Sequence, residues 1–214
     1  MTDPHIHPLD GKRVLVTGSQ RGLGLALVEA LLGRGASVYA GHRSPDGIPA
    51  VLDRPGVIPL YLPLGGEHTA SFPDVDYVVN NAGVNRNVSF DAINAVDALR
   101  AELDVNVLGT LAVVSAYLAS GRRPAGFINI VSALAFDPNY FCSTYSASKA
   151  ALHSICLSLR DFGAQQGVYV LNAYPTAIDT RLTAGMPIPK LAAADVAERI
   201  VQAWEDGMDE LRFA

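Results

Sequence analysis

Residues 12–34 constrain the fold more than any other stretch of the chain. Lys12-Arg13-Val14-Leu15-Val16-Thr17 is an apolar run of strand length. It leads through Gly18-Ser19-Gln20-Arg21-Gly22-Leu23-Gly24 into an apolar-periodic helix expected over Leu25 to Arg34. Glycine at 18, 22 and 24 removes the Cβ atoms that would keep an anion off the backbone, and the helix behind them offers free N–H groups and a positive dipole end. A strand, a phosphate-binding turn and a helix in that order form the first unit of a dinucleotide-binding α/β fold, although the spacing G-x-x-x-G-x-G differs from the usual G-x-G-x-x-G. Gly18, Gln20, Arg21, Gly22, Leu23 and Gly24 are therefore candidate cofactor contacts.

The rest of the chain continues the alternation. Strands are expected at 36–41, 56–62, 75–79, 127–131 and 167–174, with a short edge strand at 211–213. Helices are expected at 91–120, broken near 94–97, at 143–165, and at 193–206, where Asp195 is a possible cap. This order implies a single-domain, Rossmann-type doubly wound parallel sheet flanked by helices, with the site outside the carboxyl ends of the strands. A length of 214 residues, 50% hydrophobic and 17% charged, suits one such domain over 11–214. MTDPHIHPLD at 1–10 reads as a flexible arm without the basic start and apolar core of a signal peptide. Its histidines, His5 and His7, have no cysteine or acidic cluster to support a metal site. A net charge of −5 without a Lys/Arg cluster argues against nucleic acid and anionic membrane surfaces. Apolar stretches that are strand-sized or interrupted by polar residues argue against a bilayer span. Cys142 and Cys156 are not placed to pair, which fits a reducing cytoplasm.

The chemistry-bearing residues lie in the second half. Ser132 ends the apolar run Phe127–Val131 and stands thirteen residues before Tyr145, which stands four before Lys149. At that spacing the tyrosine and lysine share a helix face, bringing an ammonium near a phenol. A free phenol ionises near pH 10, and a neighbouring positive charge should move it toward working range. Asn80-Asn81-Ala82-Gly83 at a strand end suits a crevice floor, and Asn81, Ala82 and Gly83 are candidate cofactor contacts. Asn106, polar among apolar neighbours, needs partners: either it bonds backbone only, or it distorts its helix and holds a water beside Lys149. Arg43, after the second strand, and Arg21 can clamp a 2′-phosphate, unless both are merely solvated. The bend after the sixth strand adds Pro175, Ile178 and Thr180.

Taken together, Thr17-Gly18-x-x-x-Gly22-x-Gly24, Asn80-Asn81-Ala82-Gly83, Asn106, Ser132, Tyr145-x-x-x-Lys149, and Pro175 with Thr180 resemble the short-chain dehydrogenase/reductase family in its classical subgroup, over roughly residues 11–206. The resemblance implies Tyr145 as proton donor or acceptor and Ser132 polarising a carbonyl. It further implies Lys149 lowering the tyrosine pKa and bonding the nicotinamide ribose, and Asn106 holding a relay water. Basic residues at 21 and 43 accompany NADP(H) use in this family. The expected activity is NADP(H)-dependent interconversion of a small-molecule carbonyl and a secondary alcohol. The alternative is an NADP(H)-binding regulator or sensor that kept the fold without turnover.

The chain also departs from the family pattern. The aspartate often found after the third strand is replaced by Leu62-Pro63-Leu64, leaving adenine contacts to backbone, and Pro-Gly after the sixth strand is Pro175-Thr176. The chain is short across 44–76 and between Thr180 and Ala193, where the family carries its substrate lid. A short lid implies an open pocket with walls drawn from Leu134, Phe136, Tyr140, Phe141, Cys142, Tyr174 and Met186. The helices at 98–120 and 143–165 are the faces this family pairs, so a homodimer or homotetramer is expected.

Overall fold

A computed structural model describes residues 7–65 and 72–213. Seven strands form one parallel sheet in the order β3-β2-β1-β4-β5-β6-β7. The strands are β1 (Arg13–Val16), β2 (Ser37–His42), β3 (Val57–Tyr61), β4 (Tyr77–Asn80), β5 (Gly126–Ile130), β6 (Tyr169–Tyr174) and β7 (Glu210–Arg212). The order reverses between β1 and β4, so the loops leaving these two strands diverge and open a crevice at their carboxyl ends. Val14, Leu15, Val16 and all of β5 are buried, as strands covered on both faces must be.

Helices cover both faces. On one, α1 (Gly22–Gly33) buries Leu23, Leu27 and Leu31 against α5 (Ala193–Glu205), whose Val196, Ile200 and Trp204 complete the cluster. Trp204 meets the edge of Tyr77 at 4.7 Å between ring centroids. Each such side chain, fully buried, contributes roughly 1.5–3 kcal/mol. On the other face lie α2 (Ala95–Leu103), α3 (Thr110–Ala119) and α4 (Ser143–Gln166).

Several boundaries differ from expectation for physical reasons. The first helix begins at Gly22, because the last two turn glycines already form its first turn. The break expected near 94–97 comes earlier, as turns over 90–94, and the main irregularity is a π-helical segment, Asp104–Gly109, between α2 and α3. The whole run Ala95–Ala119 has the length and apolarity of a membrane span, contrary to the reading that every apolar stretch is short or interrupted. Its inner face, however, places Val113, Val114 and Tyr117 in the core cluster over the sheet. Asp195 does not cap α5: Ala192 is the capping residue, and Asp195 lies in the first turn, where its charge suits the dipole. The arm expected over 1–10 lies outside the described residues up to residue 6, His5 included. From His7 onward the chain is packed: His7 stacks on Tyr169 at 4.1 Å and Leu9 is 1% exposed.

Candidate active site

The crevice at the switch between β1 and β4 holds a cleft of about 1190 Å³, counting its open mouth. Its first wall is built mainly from backbone. Thr17 Oγ1 accepts the N–H groups of Asn81 and Ala82 at 3.0 and 2.9 Å, and the Asn81 amide donates to the carbonyls of Thr17 and Gly18. These bonds draw the two loops so close that a Cβ on Gly24 would lie 2.2 Å from the Gly18 carbonyl oxygen, and one on Gly18 2.9 Å from Ala82 Cα. The first turn of α1 contains no acidic residue and no side-chain cap, so its N–H groups point into the cleft unclaimed by side chains. Gln20 Oε1 accepts the Arg43 N–H at 3.1 Å and ties the glycine turn to the end of β2.

The floor is made of side chains. β5 delivers Ser132, 7% exposed, whose Oγ accepts the Leu134 N–H at 3.2 Å. From α4, Lys149 lies 3% exposed with Nζ donating to the Ile130 carbonyl at 3.0 Å and standing 5.7 Å from the Tyr145 ring centroid. Burial lowers the lysine pKa to about 8. The tyrosine departs from expectation. Burial chiefly, with the Cys142 thiol and the Glu102 carboxylate adding to it, pushes the phenol above its ordinary range, and the Ser132 hydroxyl is the opposing influence. With the groups this chain supplies, Tyr145 is held as a protonated phenol rather than drawn toward the phenolate.

Asn106 sits in the π segment, fully buried. Its Oδ1 accepts the Val84 N–H at 2.7 Å, and its amide donates to the Val84 carbonyl and to Ser148 Oγ at 3.0 and 2.9 Å. Asn106 thus bonds more than backbone, reaching the Ser148 side chain as well, and it lies where the helix is distorted. With both amide N–H groups used by the protein, a water beside this side chain can bond only through Oδ1. A Cβ built on Gly83 would lie 3.3 Å from Asn106 Oδ1 and 3.8 Å from Lys149 Nζ, so the three residues converge.

Gly18, Gln20, Arg21, Gly22, Leu23, Gly24, Arg43, Asn81, Ala82, Gly83, Ser132, Tyr145, Lys149, Pro175, Ile178 and Thr180 all line this cleft. The proposed substrate walls do not. Tyr174 is 1% exposed in a cluster with Val107, Val131, Leu152 and Cys156, and its hydroxyl is 2.9 Å from His153 Nδ1. Cys142 is buried under the start of α4. Tyr140 stands outside, donating to Asp91 at 2.8 Å. Leu134 and Met186 are half-buried away from the lining, which uses Val84, Val105, Leu182 and Thr183 instead. The cleft also contains His42 and Arg181, neither singled out from sequence, together with Leu62 and Leu64. Leu62 and Leu64 supply an apolar side-chain wall where only backbone contacts were expected. Arg181 had one available signal, its place immediately after Thr180.

The family described as short chain dehydrogenase matches residues 66–188, more than half of the chain. This chain belongs to the short-chain dehydrogenase family of oxidoreductases. It is 30% identical to an uncharacterised oxidoreductase of Staphylococcus saprophyticus, with 91% of this chain and 92% of the relative covered. A Staphylococcus epidermidis oxidoreductase, also uncharacterised, is 29% identical, with 90% of each chain covered. Among solved structures, a short chain dehydrogenase from Burkholderia cenocepacia in complex with NADP is 31% identical at a TM-score of 0.83, covering 97% of this chain and 90% of that one. A family member from Burkholderia phymatum in complex with NAD shares the fold at a TM-score of 0.81 and 19% identity. Of these two solved structures, one therefore holds NADP and the other NAD.

Proposed function

We propose that this short-chain dehydrogenase uses NADP(H) to interconvert a small-molecule carbonyl and a secondary alcohol, with Tyr145 as acid and base. The observation that carries this reading is the convergence of Ser132, Tyr145 and Lys149 on one cleft floor, with the phenol kept protonated and a basic nitrogen 5.7 Å from its ring. The residues present fit the cofactor. Arg43 and Arg21 provide guanidinium groups for a 2′-phosphate, the open N–H groups of α1 face a diphosphate, and Leu62 with Leu64 offers an apolar wall for adenine.

The bound nicotinamide supplies or accepts the hydride. A carbonyl oxygen seated between Ser132 Oγ and the Tyr145 hydroxyl receives a hydrogen bond from each. As that oxygen gains negative charge, the phenolic proton moves onto it and forms the alcohol O–H bond. The phenolate left behind stands beside Lys149, whose pKa of about 8 keeps it largely charged at neutral pH. Solvent then returns the proton to Tyr145. In the opposite direction the phenolate removes the hydroxyl proton. Asn106 holds Val84 and Ser148 in place around this floor.

A homodimer or homotetramer accords with Leu108 and Leu111, 56% and 41% exposed on the face of the π segment and α3, and a sedimentation experiment measures it directly. Two unpaired cysteines fit a reducing cytoplasm. The activity is tested by following NADPH oxidation against a panel of ketones and aldehydes. The wild type is expected to consume NADPH with at least one of them and Tyr145→Phe with none at a comparable rate. Tight NADPH binding with no consumption across the panel would instead favour the regulator or sensor reading.

A further inference from the structure

Three guanidinium groups converge on the mouth of the cleft from two sides. Arg21, in the glycine turn, and Arg43, after β2, belong to the first wall, whereas Arg181 comes from the segment after β6, directly after Thr180. Among the described residues none of the three has a carboxylate within ion-pair distance; Arg13, Arg34, Arg54, Arg100, Arg160 and Arg212 do, and the other arginines without one, Arg86, Arg122, Arg123 and Arg199, lie outside this cleft. In a chain of net charge −5, three uncompensated cations facing one cleft mark an anionic ligand.

Their arrangement distinguishes their parts. Arg21 feels the positive charge of both Arg43 and Arg181 and so stands within range of each. Arg43 lies at the β2 end, where a 2′-phosphate would be read. Arg181 follows Thr180, whose Cγ2 is only 3.1 Å from where a Cβ of Gly22 would stand. Its backbone therefore rises beside the N-terminus of α1, where a diphosphate would bind. The backbone of this segment is fixed: Thr183 Oγ1 donates to the Ile178 carbonyl, and the Leu191 N–H donates to the Ala177 carbonyl at 2.8 Å.

We infer that Arg181 is a cofactor-binding residue that reaches the bridging diphosphate from the segment after β6, beside the N-terminus of α1, and takes no part in choosing between NADPH and NADH. This rests on the cofactor reading given above. It assigns selectivity to one edge of the arginine arc and general affinity to the other. A guanidinium reaches phosphate oxygens with two N–H groups at once, and the neutral N–H groups of α1 would hold the same anion from below.

The test is equilibrium titration of the intact protein with NADPH and with NADH, read by nucleotide fluorescence, for the wild type, Arg181→Ala, Arg181→Lys and Arg43→Ala. Arg181→Ala should weaken both nucleotides by the same factor, about tenfold, with Arg181→Lys in between. Arg43→Ala should weaken NADPH alone. Arg181 is exposed, so unchanged thermal melting of its variants is expected and is measured alongside. If Arg181→Ala weakens only NADPH, the residue belongs to the 2′-phosphate site and the inference is overturned. Unchanged affinity for both nucleotides also overturns it while leaving the cofactor reading intact. A wild type that binds neither nucleotide overturns both.

Discussion

One half of the cleft is shaped by backbone and the other by side chains, and the two halves respond to substitution in opposite ways. Around Gly18, Gly24 and Asn81 the function is space itself. Two loops are held so close that a single Cβ does not fit, and folding and cofactor access depend on the same contacts. In the proposed mechanism Ser132, Tyr145 and Lys149 supply charge and proton position, through groups such as Lys149 whose burial costs the fold stability. Substitution in the first half should therefore damage the fold, and in the second half the chemistry.

The largest expected effect on the fold comes from Gly24→Ala. Its Cβ would meet the Gly18 carbonyl oxygen at 2.2 Å, a backbone atom with no freedom to yield. Overpacking of this kind costs roughly 1–3 kcal/mol and occasionally more, so a clear loss in Tm should accompany loss of nucleotide binding. A variant with wild-type Tm and wild-type affinity would erase the contrast between the halves.

Lys149→Met should act in the opposite sense. The lysine titrates near 8 in the fold against 10.5 in the unfolded chain, so below pH 8 both states carry the charge and the folded state bears its desolvation. Wild-type stability should rise with pH between about 8 and 10.5 as that charge is lost. That penalty is about 3 kcal/mol, partly offset by the lost bond to Ile130, so the Met variant should be more stable at pH 7 by about 1–2 kcal/mol. Its advantage should fade toward pH 10.5 while turnover is lost throughout. Parallel pH–stability curves for the two proteins would contradict this.

Smaller effects sharpen the comparison at its edges. Arg43→Ala should lower the preference for NADPH over NADH about tenfold, read from the two dissociation constants, with Tm unchanged. Thr183→Val keeps shape but removes the hydroxyl that bonds the Ile178 carbonyl on the far wall. A cost of about 1 kcal/mol in Tm-derived stability is expected, with little change in nucleotide selectivity.

The backbone half was largely legible in the sequence because its constraints are local: glycines between a strand and a helix have few other uses. The Tyr145 and Lys149 pair was legible for the same reason, being one helical turn apart. The features not legible there depend on register between distant segments. Asn80, Asn129 and Asn172 stand opposite one another on β4, β5 and β6 and pass amide hydrogen bonds along the buried sheet at 2.9 and 2.8 Å. No stretch of sequence reveals that pairing. Tyr174 lies outside the cleft because an aromatic at a strand's carboxyl end can face either the crevice or the core, and here it packs on the His153 and Phe136 rings. The rise in the Tyr145 pKa likewise reflects depth of burial, which helix spacing does not encode.

The central measurement is a single turnover: protein loaded with NADPH is mixed at pH 7 with a carbonyl that the wild type reduces, and nucleotide oxidation is followed in time. Proton donation by the Tyr145 phenol predicts that Tyr145→Phe binds NADPH as tightly as the wild type yet oxidises it roughly 10²–10⁴ times more slowly. Equal rates in equally loaded proteins would show that the proton comes from elsewhere and that this phenol does not run the reaction.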